Sequence, residues 1–183
     1  VAGKVCTVTF DSNPNYDIPA DAGGNNIYDL TVTFTDGTNV LSAQTTAITI
    51  TDVNDQTPAA TVTNTYTVAE NTATVASISI TDTDTSGTLA CSVAGTDNAL
   101  FTCTVSGTTA TVAFASAPNF ESPGDAGTNN VYDITVTFTD GTNTLSPQTT
   151  AVTVTDTNDQ TPTYSPNSVT KSVAEGSGVA IDQ

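Results

Sequence analysis

The 183-residue sequence predicts an all-β chain of tandem seven-stranded Greek-key β-sandwiches, one complete repeat flanked by two partial ones. Two observations predict it. The first is internal repetition: DAGGNNIYDLTVTFTD over residues 21–36 returns as DAGTNNVYDITVTFTD over 125–140, shifted by 104 residues and differing at three positions. A period of about 100 residues is the size of a domain, too long for a solenoid unit and suited to beads on a string. The second is alternation of Val, Ile, Thr and Phe in short runs, the period-two pattern of half-buried strands, with no competing helical period.

The same shift relates Pro14, Asn15, Tyr16 and Asp17 to Pro118, Asn119, Phe120 and Glu121, and residues 51–58 to 155–162. A further echo, VAE at 68–70 and again at 173–175, lies 105 residues apart. The expected organisation is therefore the C-terminal half of a repeat over 1–57, a complete repeat over 58–161, and the N-terminal strands of the next over 162–183. Within the complete repeat, strands are expected over 61–68, 74–81, 88–94, 100–105, 109–114, 131–139 and 145–155, separated by Gly, Asn, Asp and Pro turns. Seven short strands in a repeat of this length point to an immunoglobulin-like sandwich. Thr-rich outer faces suit both strand propensity and water.

Three cysteines fit an oxidising compartment. A turn over 95–98 sets Cys91 opposite Cys103 on neighbouring strands, where a cross-strand disulfide or two packed thiols would fit. Cys6 aligns with Ala110 and reads as a small buried residue.

Composition narrows the function. Nineteen acidic residues face two basic ones, Lys4 and Lys171, for a formal net charge of −17. Nucleic acid is excluded as a partner, because its binding draws affinity from Lys and Arg on phosphates. Anionic membranes are disfavoured by the same charge, and no apolar run is long enough to span a bilayer. Folding so acidic a chain stores self-repulsion, which either bound cations or a purely solubilising surface could accommodate. There is no His, and no Ser or Cys lies beside a base, so an enzyme is not expected.

The position of the acids decides between cations and a solvated surface. VAE at 68–70, TDTD at 81–84, PNFE at 118–121, YDITVTFTDG at 132–141 and VTVTDTNDQTP at 152–162, in this order and spacing, resemble the cadherin repeat, most of all its bacterial and archaeal versions. The DxND linker after a strand is the most specific of these. The resemblance implies Ca²⁺ between successive repeats, because six to eight oxygens are needed and no single short loop here supplies them. Carried over residue by residue, it implies a first junction of Asn15, Asp17, Asn54, Asp55, Asp82, Asp84 and Asp140, with main-chain oxygens from Val53, Gln56 and Asn98. A second junction takes Glu70, Asn119, Glu121, Asn158 and Asp159, with main-chain oxygens from Thr157 and Gln160. Asn15 and Asn119 depart from the pattern, since each puts a neutral side chain where the family usually has an acid.

The function so implied is a calcium-rigidified extracellular or cell-surface module forming a rod-like stalk or fibre in adhesion or attachment. The alternative is a structural subunit of an extracellular filament or sheath. The expected partners are neighbouring repeats of the same chain, with lateral or end-to-end assembly of like chains.

Overall fold

The computed structural model describes residues 5–163 and 175–176, so the segment expected to open a third repeat lies outside the described residues but for four positions. Two regions of strand structure share one linker. In the first, β1 (Ile27–Val32) pairs antiparallel with β2 (Gln44–Thr49) from Ile27 opposite Thr49 to Val32 opposite Gln44. The second holds β3 (Ala59–Ala60), β4 (Thr65–Ala69), β5 (Thr74–Thr81), β6 (Ala90–Ala94), β7 (Phe101–Ser106), β8 (Thr109–Phe114), β9 (Val131–Thr139) and β10 (Gln148–Thr155). They form two four-stranded sheets, β4-β10-β9-β6 and β3-β5-β8-β7, packed as a sandwich. All pairings are antiparallel except that of β4 with β10.

Alternation builds the core. Along β9, Tyr132, Ile134, Val136 and Phe138 all point inward and are buried. Val152 and Val154 of β10 join them, facing Ile78 and Ile80 of β5 and Ala110, Val112 and Phe114 of β8. At one end Phe101, Phe114 and Tyr132 form an aromatic cluster with ring centroids 4.3, 5.0 and 5.9 Å apart. Such pairs add to the burial of their area. Among the described residues no helix is long and apolar enough to cross a membrane.

Strands β5, β8 and β9 have the expected bounds. The expected first strand, 61–68, is instead two. Ala59 and Ala60 pair with β5 in one sheet, while 65–69 pair with β10 in the other. Gln148 bridges the crossing, its Nε2 donating to the Ala60 carbonyl at 3.1 Å and its Oε1 accepting from the Val62 amide at 2.9 Å. An edge strand that changes sheets closes the sandwich at both lips, which one uninterrupted strand cannot do.

Cys91 and Cys103 form a disulfide, with Cα atoms 5.8 Å apart. They are not hairpin partners. Cys91 lies on β6, paired with β9, whereas Cys103 lies on β7, paired with β8. The intervening segment, with its 3₁₀ turn over Asn98–Leu100, carries the chain from one sheet to the other. The bond therefore staples the two sheets along one edge.

Cys6 is exposed, against expectation. Its counterpart Ala110 is enclosed because β5 and β7 flank β8, and among the described residues nothing equivalent flanks Cys6. Phe34 shows the same contrast, 43% exposed where Phe138 is 0% exposed.

Replacing both Cys91 and Cys103 by Ala should lower stability to urea by about 3 kcal/mol, the loop-entropy value for a short closed loop. A change below about 1 kcal/mol in equilibrium unfolding would show that sheet packing alone fixes this edge.

Candidate metal centre

Three chain segments meet where the linker enters the sandwich. The ends of β5 and β9 deliver Asp82, Asp84 and Asp140, the linker delivers Asn54 and Asp55, and the first region delivers Asp17. Asp17, Asp55 and Asp84 each offer a carboxylate oxygen within 4.8 Å of the others, and so do Asp82, Asp84 and Asp140. Asp84 belongs to both groups. The Asn54 Oδ1 lies 2.9 Å from the Asp140 Oδ2 and 3.1 Å from the Asp84 Oδ2, three acceptors brought together unless the amide turns over.

Backbone amides answer part of this charge. The Asp140 Oδ1 accepts from the amides of Thr142 at 2.7 Å and Asn143 at 2.6 Å. Burial pushes the Asp140 carboxyl up, but these amides and the side chain of Asn143 outweigh it and hold the group below its ordinary value. Asp52 is likewise lowered, chiefly by the Thr85 hydroxyl, and its Oδ2 also accepts from the amides of Thr85 and Ser86. Asp84 goes the other way. Desolvation raises it, the charges of Asp17, Asp82 and Asp52 raise it further, and the Gln56 amide opposes them only in part.

Three carboxylate oxygens here, the Oδ1 atoms of Asp17, Asp52 and Asp84, are shut from solvent with no hydrogen-bond partner. An orphaned anionic oxygen in a protein interior is costly, and those of Asp17 and Asp84, which share one carboxylate group, describe a place for a cation. A hard divalent ion fits an all-oxygen set of this kind.

At the other end of the sandwich, Glu70, Glu121 and Asp156 form a third group with oxygens within 4.8 Å. Glu70 is buried, its Oε2 accepting from the Phe120 amide and its Oε1 from the Thr157 amide, both at 2.8 Å. Asp159 stands beside this group, bonded to Asn71 and Gln160, and Asn158 is exposed.

Three other expected ligands have different surroundings. The Asn15 Oδ1 accepts from the amides of Asp17 and Ile18, and the Asn119 Oδ1 from that of Ser122, so both side chains close their own turns. Asn98 lies far off. Its neighbour Asp97 bonds Asp133 near the start of β9, and Asp140 follows the end of that strand, about 23 Å away at the rise of an extended chain.

Sequence reasoning missed Asp52 and Asp156, which the 104-residue repeat marks equally. It also missed Gly87. With φ of +101°, a Cβ on Gly87 would lie 2.3 Å from the Asn54 Nδ2 and 2.9 Å from the Asp140 carbonyl. Only glycine lets the linker asparagine dock.

No family model and no curated protein sequence matches the chain. Solved structures do. Protocadherin gammaB7 domains EC3–6, in a cis-dimer, match with TM-score 0.55 and 22% identity over 74% of this chain and 33% of that one. The chain has a cadherin-like fold. The protocadherin gammaB4 extracellular domain matches this cadherin-like chain at 0.54 and 23% identity, over 73% of it and 22% of the match. Human CDH23 EC21–23 gives 0.52 at 14% identity, over 77% and 47%. The cadherin-like chain thus spans less than half the length of each of these three structures.

Gly141 supplies a control for Gly87, because its φ is +98° but a Cβ there meets nothing within 4 Å. Gly141→Ala should cost about 1–2 kcal/mol for backbone conformation alone, and Gly87→Ala clearly more. Equal losses in paired urea titrations would rule out close docking at Gly87.

Proposed function

We propose that this chain is a calcium-rigidified extracellular module, a length of rod-like stalk or fibre in adhesion or surface attachment, organised as partial repeats over 1–57 and 162–183 around a complete one over 58–161. The observation that carries this is the pair of orphaned oxygens on Asp17 and Asp84, residues of two regions whose carboxylates meet within 4.8 Å at the linker Asp55. Acids scattered for solubility face water; these face one another.

Asp17, Asp52, Asn54, Asp55, Asp82, Asp84 and Asp140 would hold calcium at the first junction, and Glu70, Glu121 and Asp156, joined by Asn158 and Asp159, at the second. Bound calcium supplies the positive charge that the side chains lack. The remaining work belongs to the chain. The Asp52 carboxylate tethers the linker to Thr85 and Ser86, Gln56 caps Asp84, and Asn143 bridges Asn54 and Asp140. These bonds set the linker close to its final path, so that binding orders little additional chain. Without the ion, mutual repulsion at Asp84 opposes the docked arrangement. Extracellular modules of this type bind in the range of about 10⁻⁴ to 10⁻³ M, matched to a calcium-rich exterior. A non-catalytic role agrees with acids that recur at the period of the repeat.

Chelation with EDTA should broaden the small-angle scattering distance distribution and expose residues 52–58 to protease. Unchanged scattering would sink the reading. Asp84→Asn gives an independent check. It removes a charge raised by burial and neighbouring acids, so in EDTA the variant should equal or exceed the native chain in urea midpoint, whereas in millimolar calcium it should fall below it. The same rank order in both conditions would refute a metal role for Asp84.

A further inference from the structure

We propose that Asn26 and Asn130, which are outside the ligand sets, are the positioning residues of the two junctions, each fixing the spacing between two acid-bearing segments. The proposal rests on the metal reading above. It starts from the most faithfully repeated part of the sequence, DAGGNN at 21–26 and DAGTNN at 125–130.

In both copies the leading aspartate folds the loop over itself. The Asp21 Oδ1 accepts from the Asn26 amide at 2.9 Å, and the Asp125 Oδ1 from the Asn130 amide at 3.0 Å. Each terminal asparagine is thereby held at φ of +61°, a left-handed conformation. From there it reaches in two directions. Its side-chain Nδ2 donates to the carbonyl of Tyr16 at 2.9 Å in one copy and of Phe120 at 2.8 Å in the other. Its own carbonyl accepts from the amides of Ile50 and Val154, at 2.9 Å in each copy.

The residues so gripped are neighbours of the acids. Tyr16 precedes Asp17 and Phe120 precedes Glu121; Ile50 lies two residues before Asp52 and Val154 two before Asp156. One asparagine therefore sets the distance from Asp17 to Asp52, and its twin that from Glu121 to Asp156, whose oxygens lie within 4.8 Å. The first region is largely open and the second encloses a core, yet the distances agree within 0.1 Å. The device is local and does not depend on core packing. In both copies the asparagine Oδ1 is buried and unpartnered, which leaves Nδ2 as the functional end.

Asn26→Gly in the 183-residue chain isolates this end, because glycine accepts the left-handed φ and keeps the main-chain bond to Ile50 while losing the amide group. Two measurements read the outcome: calcium affinity at the Asp17, Asp55 and Asp84 group by titration followed through backbone NMR signals, and hydrogen exchange of the Asp17 and Ile18 amides in EDTA. We expect affinity to fall about tenfold or more, exchange to quicken, and Asn26→Asp, which puts an acceptor against the Tyr16 carbonyl, to match glycine. Affinity within twofold of native overturns the proposal, even if exchange quickens, since the role would then be structural only. If the native chain takes up no calcium, the metal reading fails and the proposal with it. Calcium uptake that ignores Asn26→Gly overturns the proposal alone.

Discussion

Carboxylates from separate segments converge on Asp84, and no cationic side chain among the described residues meets them. The two lysines of the sequence, Lys4 and Lys171, fall outside the described residues, so within these every anion must be answered by an amide, a hydroxyl or something bound. The chain spends its amides unevenly. Asp140 and Asp52 receive several donors each and are held below the ordinary carboxylate range, while Asp84 receives one and is pushed above it. Unanswered charge is thus gathered at the point shared by two acid groups rather than spread over the surface. Linker docking, the glycine beneath Asn54 and the tether from Asp52 to Thr85 all serve to bring the chain to that point.

The 104-residue repeat separates what is local in this fold from what needs the whole sandwich. The register of β1 with β2 is reproduced by β9 with β10, Ile27 opposite Thr49 and Val131 opposite Thr153. Edge-to-face contact of Phe10 with Tyr28, 5.1 Å between centroids, is matched by Phe114 with Tyr132 at 5.0 Å. Burial is not reproduced, because it needs a second sheet. Hydrogen-bonded loops and hairpin pairing therefore come from the nearby sequence, whereas the hydrophobic term enters when β5, β7 and β8 close over β9 and β10.

The same division explains what could be read in advance. Strands β5, β8 and β9 were legible to the residue because each is an alternating run with a turn residue within two residues of an end, Asp82 for β5, Gly107 for β8, and Asn130 and Asp140 for β9. Asp17, Asp55, Asp82, Asp84 and Asp140 were legible as a set through their order along the chain, and they do converge. Less legible was anything decided by connection between sheets. Alternation cannot say that residues 61–64 cross from one sheet to the other, nor that Cys91 and Cys103 face each other across the sandwich rather than along a hairpin. Asn98, carried over from the resemblance as a main-chain ligand, is parted from Asp84 by β6, which takes the chain away to the opposite end. Gly87 was invisible because its importance is the absence of an atom.

The loops of the two junctions copy one another down to the side chain that each turn keeps for itself. Asn15 and Asn119 stand where an acid is usual, and both turn their side-chain oxygen onto amides two or three residues further on, of Asp17 and Ile18 in one copy and Ser122 in the other. The anionic duty passes to the next acid, which is Asp17 in one copy and Glu121 in the other. That difference is one methylene. Asp17, with the shorter arm, meets the linker Asp55 and the downstream Asp84; Glu121 meets Glu70 and the strand-end Asp156 of its own sandwich. Glu121 thus belongs to a group whose members all come from one sandwich, whereas Asp17 joins acids of the linker and the next region. A cation at the Glu121 group would find its acids already assembled within one sandwich. At the Asp17 group a cation would meet carboxylates of two regions and of the linker between them.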